Sequence, residues 1–205
     1  MKKEVIFILG LPGSGKSTLV RKLSLELGAN VVSSKSVFKN ISKREKANLQ
    51  KKYVSKGLEI PDNKYVNLIK KYITDSSDTL FLIEGFPYNL KQLNMSESLF
   101  CKENIQLRKV IYINIEVDFL LIRIKERRIC PDCNNSYRNI AICPECNTAT
   151  VTRVDDSDNI LNQRIKFQSK YIKKIVKYYN GNNALIEIEA TQSEEEKIST
   201  IMKQL

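Results

Sequence analysis

The sequence predicts an α/β protein, a parallel sheet of five strands with helices on both faces. Three observations carry that expectation. The first is the apolar run Val5-Ile6-Phe7-Ile8-Leu9, which leads into Gly10-Leu11-Pro12-Gly13-Ser14-Gly15-Lys16-Ser17-Thr18 and then a helical pattern: strand, glycine-rich turn, helix. The second is that short apolar runs alternate with helix-spaced segments along the chain, as parallel strands joined by crossovers require. The third is composition. At 42% hydrophobic and 28% charged, the 205 residues suffice for one sizeable core carrying insertions but not for two full domains. A single domain over 1–205 is expected.

Each element has its own reason. Val5 to Leu9 is apolar throughout, which suits a strand buried on both faces. A helix follows from Ser17, with Leu19, Val20, Leu23, Leu25 and Leu27 apolar, and stops at Gly28. A second strand falls at Asn30 to Ser33. From Ser34 to about Asp62 the chain is polar and lysine-rich with a thin apolar face, so a small mobile appendage is expected. Helical spacing resumes at Tyr65, Val66, Ile69, Tyr72 and Ile73, and a third strand, Thr79 to Ile83, ends at Glu84-Gly85-Phe86-Pro87. A carboxylate and a glycine at the C-terminal end of a strand lie where open α/β sheets bind ligands. A loop and helix are expected over Gln92 to Glu103, a fourth strand over Val110 to Ile115, and a helix from Val117 to Arg128. After the cysteines come a long helix, Asp158 to Tyr179, and a fifth strand, Ala184 to Ile188.

The glycine-rich turn fits the phosphate-binding loop pattern, with Gly10, Gly15, Lys16 and Ser17 in register. Successive phosphates need several backbone N–H donors in one concavity at an open helix end, and side chains there would block the approach. Lys16 would set a positive charge on the outer phosphates, and the Ser17 hydroxyl is placed to ligate Mg²⁺. The bland alternative is a turn that is merely rich in glycine. The strand before it and the helix after it are the context the motif demands.

Cys130-Pro131-Asp132-Cys133 and Cys143-Pro144-Glu145-Cys146 form two Cys-x-x-Cys pairs nine residues apart. Four thiolates so spaced can close tetrahedrally on a structural Zn²⁺ and order a lobe too small for a hydrophobic core. Two disulfides or two redox pairs are the competing readings. Cys101 is left over and receives no role. Histidine is absent, so any metal must be held by sulfur or oxygen. Arg123, Arg127 and Arg128 precede the cysteines, Arg153 follows them, and Arg164 lies on the next helix. Arginines at both hinges of a small lobe would meet phosphates when the lobe closes, though a solvated surface is the usual place for any single one. The net charge of +11 makes the surface attractive to polyanions, but a chain rich in Lys, Asn and Ile throughout explains that excess as well as a nucleic-acid partner does. No apolar run spans a bilayer and Met1-Lys2-Lys3-Glu4 leads straight into a strand, so a cytoplasmic protein without a membrane partner is expected.

With these residues in order, the chain resembles the adenylate kinase family of nucleoside monophosphate kinases, in its zinc-bearing lid form. The resemblance rests on the loop Gly10 to Lys16, Gly57-Leu58-Glu59-Ile60-Pro61-Asp62, Glu84-Gly85-Phe86-Pro87 with Gln92, Arg123 to Arg128, Arg153-Val154-Asp155-Asp156, Arg164 and Tyr178-Tyr179. It implies a P-loop kinase fold with an acceptor-binding insert over 34–62 and a zinc-ribbon-like lid over 128–155. It implies that Gly13, Ser14, Gly15, Lys16, Ser17 and Thr18 hold ATP, with Glu84 near the Mg²⁺ water shell and Arg123 by the donor base. Arg127, Arg153 and Arg164 would clamp the phosphoryl group in flight. Ser34, Lys39, Gly85, Tyr88 and Gln92 would face the acceptor. The chain also departs from the family. Tyr88 and Lys39 stand where arginines are expected to grip the acceptor phosphate, Ser34-Lys35-Ser36 replaces Thr-Gly-Asp, Ser17 replaces a glycine, and the lid is shorter.

Three functions are therefore weighed: an ATP-dependent kinase of nucleoside monophosphates, AMP first, acting as a monomer; a P-loop kinase with another small acceptor; and a basic ATP-binding zinc protein that contacts nucleic acid. The third lacks an aromatic-interleaved basic stretch around the cysteines beyond Tyr137-Arg138.

Overall fold

A computed structural model describes residues 2–53, 60–133, 135–152 and 158–205, without the side chains of 50 and 158–164. Its centre is a five-stranded parallel sheet of β1 (Lys3–Gly10), β2 (Asn30–Val32), β3 (Leu80–Glu84), β4 (Ile105–Asn114) and β7 (Leu185–Glu189), in the order β2-β3-β1-β4-β7. The sequence puts β1 at the middle because a strand apolar on both faces must be covered on both. Val5, Ile6, Phe7, Ile8 and Leu9 are at most 2% exposed. Register pairs Ile8 with Glu84 and Gly10 with Ile113, so the C-terminal ends of β1, β3 and β4 meet at one edge. That edge carries the phosphate loop.

Helices α1 (Lys16–Leu27), α4 (Asp62–Asp75), α5 (Leu90–Lys102), α6 (Val117–Lys125), α7 (Asp158–Gly181) and α8 (Glu194–Gln204) flank the sheet, and α2 (Ser34–Lys39) and α3 (Lys43–Lys52) lie between β2 and α4. Their ends follow local chemistry. Gly28 closes α1 in the left-handed region at φ 61°, and Ser33 with Ser36 forms a reciprocal capping pair for α2. A two-stranded antiparallel ribbon, β5 (Arg127–Ile129) with β6 (Ser136–Arg138), forms the start of the cysteine lobe.

Three expectations are corrected and one element is added. The helix over Val117 to Arg128 ends at Lys125, because Arg127 to Ile129 find backbone partners in Ser136 to Arg138 instead. Strand β4 begins at Ile105; in its first half exposed Gln106 and Arg108 alternate with more covered residues, and the charges of Arg108 and Lys109 hid it from a search for apolar runs. Helix α8 was not foreseen, although Ser193 and Glu196 form a capping box there. The segment after Ser34 gives more to the core than its thin apolar face promised, since Val37 is 1% and Leu49 7% exposed within the main cluster.

Candidate functional site

The site grows from the end of β1. Gly10, Gly13 and Gly15 take φ values of 157°, 86° and 100°, and two of them have no room for a side chain. A Cβ on Gly10 would sit 2.5 Å from Ser14 Oγ, and one on Gly13 would meet Ile124 Cγ1 at 2.6 Å. Helix α6 therefore packs straight onto the loop. Gly15 caps α1 with no side-chain hydrogen bond, and the first turn holds no acidic residue. The start of this twelve-residue helix thus carries neither a side-chain cap from Gly15 nor an acidic residue of its own, an arrangement compatible with a bound phosphate.

Side chains converge on this turn. Lys16 Nζ donates to the carbonyl oxygens of Gly10 and Leu11 at 2.7 and 2.8 Å, which ties the ammonium across the loop. Ser17 Oγ donates to Glu84 Oε1, joining the helix start to the tip of β3. A hydroxyl and a carboxylate side by side are hard oxygen donors of the kind that hold a hydrated Mg²⁺. Gly85, at φ 68°, brings its backbone beside Lys16, whose Cε would lie 3.9 Å from a Cβ there. Ser14 is completely buried, and its hydroxyl has no hydrogen-bond partner among the described residues. Thr18, the third residue of α1, is half-buried.

Arg123 leaves α6 toward the same loop. Its Nη2 lies 3.4 Å from where a Cβ on Gly15 would be, its Nη1 donates to the Ala190 carbonyl at 3.3 Å, and its guanidinium stands 5.9 Å from the Phe119 ring centre. Burial lowers its basicity and neighbouring Arg138 adds to that, while Glu194 opposes both. Phe119 and Ala190, which hold Arg123 here, were missed by the sequence reading. An aromatic four residues before an arginine on one helix face was the available signal.

The far side of the loop is built from α2, α4 and the turn after β3. Ser34 Oγ and Tyr65 Oη are 2.6 Å apart, and Tyr65 meets the buried Phe86 ring at 6.1 Å. Gln92 is fully buried; its Nε2 donates to Asp62 Oδ1 at 3.0 Å and its Oε1 accepts from the Tyr88 N–H at 3.2 Å. Asn89 Nδ2 donates to the same Asp62 oxygen at 3.1 Å. Tyr88 is half-buried, and Lys39 is exposed in the last turn of α2. Asp62 and Tyr65 organise this side, although the sequence reading gave them no role.

In the lobe, one ligand atom from each of Cys130, Cys133, Cys143 and Cys146 lies within 4.8 Å of every other. Cys133 and Cys143 sulfurs are 3.7 Å apart, close to the roughly 3.8 Å edge of a tetrahedron with metal–sulfur bonds of about 2.3 Å. All four are free thiols, so the two-disulfide reading is not what the chain adopts here. The residues fit a tetrahedral thiolate-held metal. Backbone bonds fold the turns: Cys130 N–H to Asn135 O at 3.0 Å, Cys143 N–H to Thr148 O at 2.8 Å. A salt bridge of 3.9 Å from Arg21 on α1 to Glu145 connects the lobe to the core. Arg127 and Arg128 are half-buried on β5. Arg153 lies outside the described residues, and Arg164 is described in its α7 backbone only.

Among the described residues no helix is long and apolar enough to cross a membrane. Comparison with known proteins brings the fold and the site together. The sequence model of the family described as "Adenylate kinase" matches residues 8–184. The chain is 32% identical to an adenylate kinase of Aster yellows witches'-broom phytoplasma over 211 aligned positions, covering 98% of this chain and 97% of that one. It is 27% identical to an adenylate kinase of Hydrogenobaculum, covering 98% and 100%, and 31% identical to one of Mesoplasma florum, covering 89% and 90%. A glycine loop at the tip of a central parallel strand, a basic residue and a Ser–Glu pair beside it, a lobe that gathers four cysteines and a family match over most of the chain lead to one assignment: this protein belongs to the adenylate kinase family.

Proposed function

We propose that the protein transfers the γ-phosphoryl group of MgATP to a nucleoside monophosphate, AMP foremost, in line and without a covalent enzyme intermediate. One observation carries this reading: the uncapped start of α1 at Gly15, with Lys16, the Ser17–Glu84 pair and Arg123 gathered around it. Transfer spreads charge over the equatorial oxygens of the moving group, so catalysis is mostly positioning and electrostatics. Gly13, Ser14, Gly15 and Thr18 supply the loop and helix start that cradle the donor phosphates. Lys16 exchanges its loop carbonyls for phosphate oxygens. Ser17 and Glu84 hold the Mg²⁺ that arrives with ATP, and Arg123 flanks the donor base.

On the acceptor side, segment 34–62 forms the insert that takes the monophosphate. Ser34 and Lys39 face it from α2, the Gly85 backbone and Tyr88 from the turn after β3, and Gln92 holds Tyr88 and Asp62 in place from beneath. With a lysine and a phenol there instead of two guanidinium forks, acceptor phosphate is met by one point charge and one hydroxyl. Segment 128–155 forms the lid, pinned by Zn²⁺ on Cys130, Cys133, Cys143 and Cys146. Lid closure brings Arg127, Arg153 and Arg164 over the transferring group and excludes water that would otherwise accept it. All named groups come from one chain, which suits a monomer, and unpaired thiols suit the reducing cytoplasm.

The experiment is steady-state ADP release with AMP, GMP, CMP, UMP and dTMP. AMP is expected to give the highest kcat/KM. No turnover with any of the five would overturn the reading.

A further inference from the structure

We propose that Tyr137 is a positioning residue of the lid metal centre, its phenol donating a hydrogen bond to the Cys143 thiolate and so holding that sulfur in the metal's coordination shell. The proposal rests on the four-cysteine metal reading above. Tyr137 sits at the middle of β6, opposite Arg128 of β5, and its Oη lies 3.3 Å from Cys143 Sγ. Cys143 is 1% exposed, so water gives its sulfur little help. A metal-bound cysteine has lost its proton, which leaves the phenol O–H as the donor across that contact.

The consequence follows from sulfur chemistry. A thiolate carries its charge in lone pairs that either bind the metal, accept hydrogen bonds or capture a proton on release. A phenol fixed by a strand delivers one such bond at a set angle and leaves the remaining lone pair for the metal. The lobe needs this help because it has few other means of holding the sulfur. Its described residues add none to the main apolar cluster, and Ile140, Ile142 and Val151 are 39%, 51% and 49% exposed. Partners of this outer kind change metal affinity by about 10- to 100-fold when removed.

Tyr137→Phe keeps the ring and deletes only the donor. Two readouts are taken on the full chain: the rate at which bound Zn²⁺ passes to a chromophoric chelator, and the thiolate-to-metal charge-transfer band of the Co²⁺-loaded protein. The variant should release Zn²⁺ about 10- to 100-fold faster. Its Co²⁺ band should move to lower energy, because a thiolate without its hydrogen bond gives up an electron more readily; loss of packing alone would not move the band this way. Tyr137→His, which offers an N–H donor, should recover part of both effects. Release within twofold of the parent and an unmoved band overturn the proposal while leaving the metal site standing. Should neither parent nor variant retain one equivalent of metal, the four-thiolate reading falls and the tyrosine's role with it.

Discussion

Around the phosphate loop, Val5 to Leu9 of β1 and Phe81 to Ile83 of β3 are at most 2% exposed, and the loop inherits its shape from that packing. Between 127 and 152 the fully buried positions among the described residues are Cys130 and Cys143. One region is held by apolar area and close packing; the other by short backbone bonds, polar braces such as Arg138–Glu126, and four sulfurs. The difference has a functional use. Donor phosphates need a fixed cradle, which a buried sheet edge supplies. On the proposed reading the cysteine lobe is a lid that must move relative to that cradle and still keep its own shape, and a metal on its four thiols would pin it without gluing it to the core.

Substitutions on each side sharpen the contrast. The largest effect is expected from Phe7→Ala, which empties the centre of an aromatic cluster with Phe86 at 5.5 Å, Phe100 at 6.2 Å and Tyr179 at 6.3 Å. It should cost about 3–5 kcal/mol in denaturant unfolding while leaving metal stoichiometry in the folded protein unchanged. Lys16→Ala should lower kcat by about 10²–10³-fold, with little change in melting temperature, since the lysine serves the transferring charge. A large loss of stability with unchanged kcat would break the assignment of Lys16 to chemistry.

Removing the lid metal with a tight chelator should lower activity and melting temperature together, the latter by about 2–4 °C for each kcal/mol the metal contributes. Unchanged melting would mean the lobe keeps its shape by other means. The smallest effect belongs to the bridge between the regions. Arg21→Ala removes an ion pair whose side chains are 58% and 51% exposed, so stability should change by about 0.2–1 kcal/mol at most. A greater loss, read by the same denaturant curve, would show the lid docked on α1 more firmly than its exposed bridge implies.

Legibility in the sequence followed the same division. The loop was readable because phosphate binding restricts residue type at fixed spacing: Gly10, Gly13 and Gly15 all hold positive φ, and any side chain on Gly13 would strike Ile124. The cysteine cluster was readable because two short Cys-x-x-Cys spacings are what a tetrahedral thiolate site would require, and the four sulfurs do converge. What stayed hidden depends on tertiary contact. Ribbon β5 looked like the end of α6, since Arg127-Arg128-Ile129 carries no local strand signal and gains one only by pairing with Ser136 to Arg138. Asp62, Tyr65 and Phe119 are ordinary residues by sequence, and they matter because folding sets them against Gln92, Ser34 and Arg123. The role of Arg153 concerns a residue outside those described, and that of Arg164 a side chain outside them.

On the proposed reading the buried loop holds the donor by itself, while a metal-pinned lid is needed for transfer. This is tested by following MgATP binding and ADP formation from AMP side by side in metal-loaded and metal-stripped protein. MgATP affinity should stay within about tenfold on stripping while ADP formation falls by more than about tenfold. Metal-loaded, folded protein that binds no MgATP, or stripped protein that makes ADP at the full rate, would contradict it.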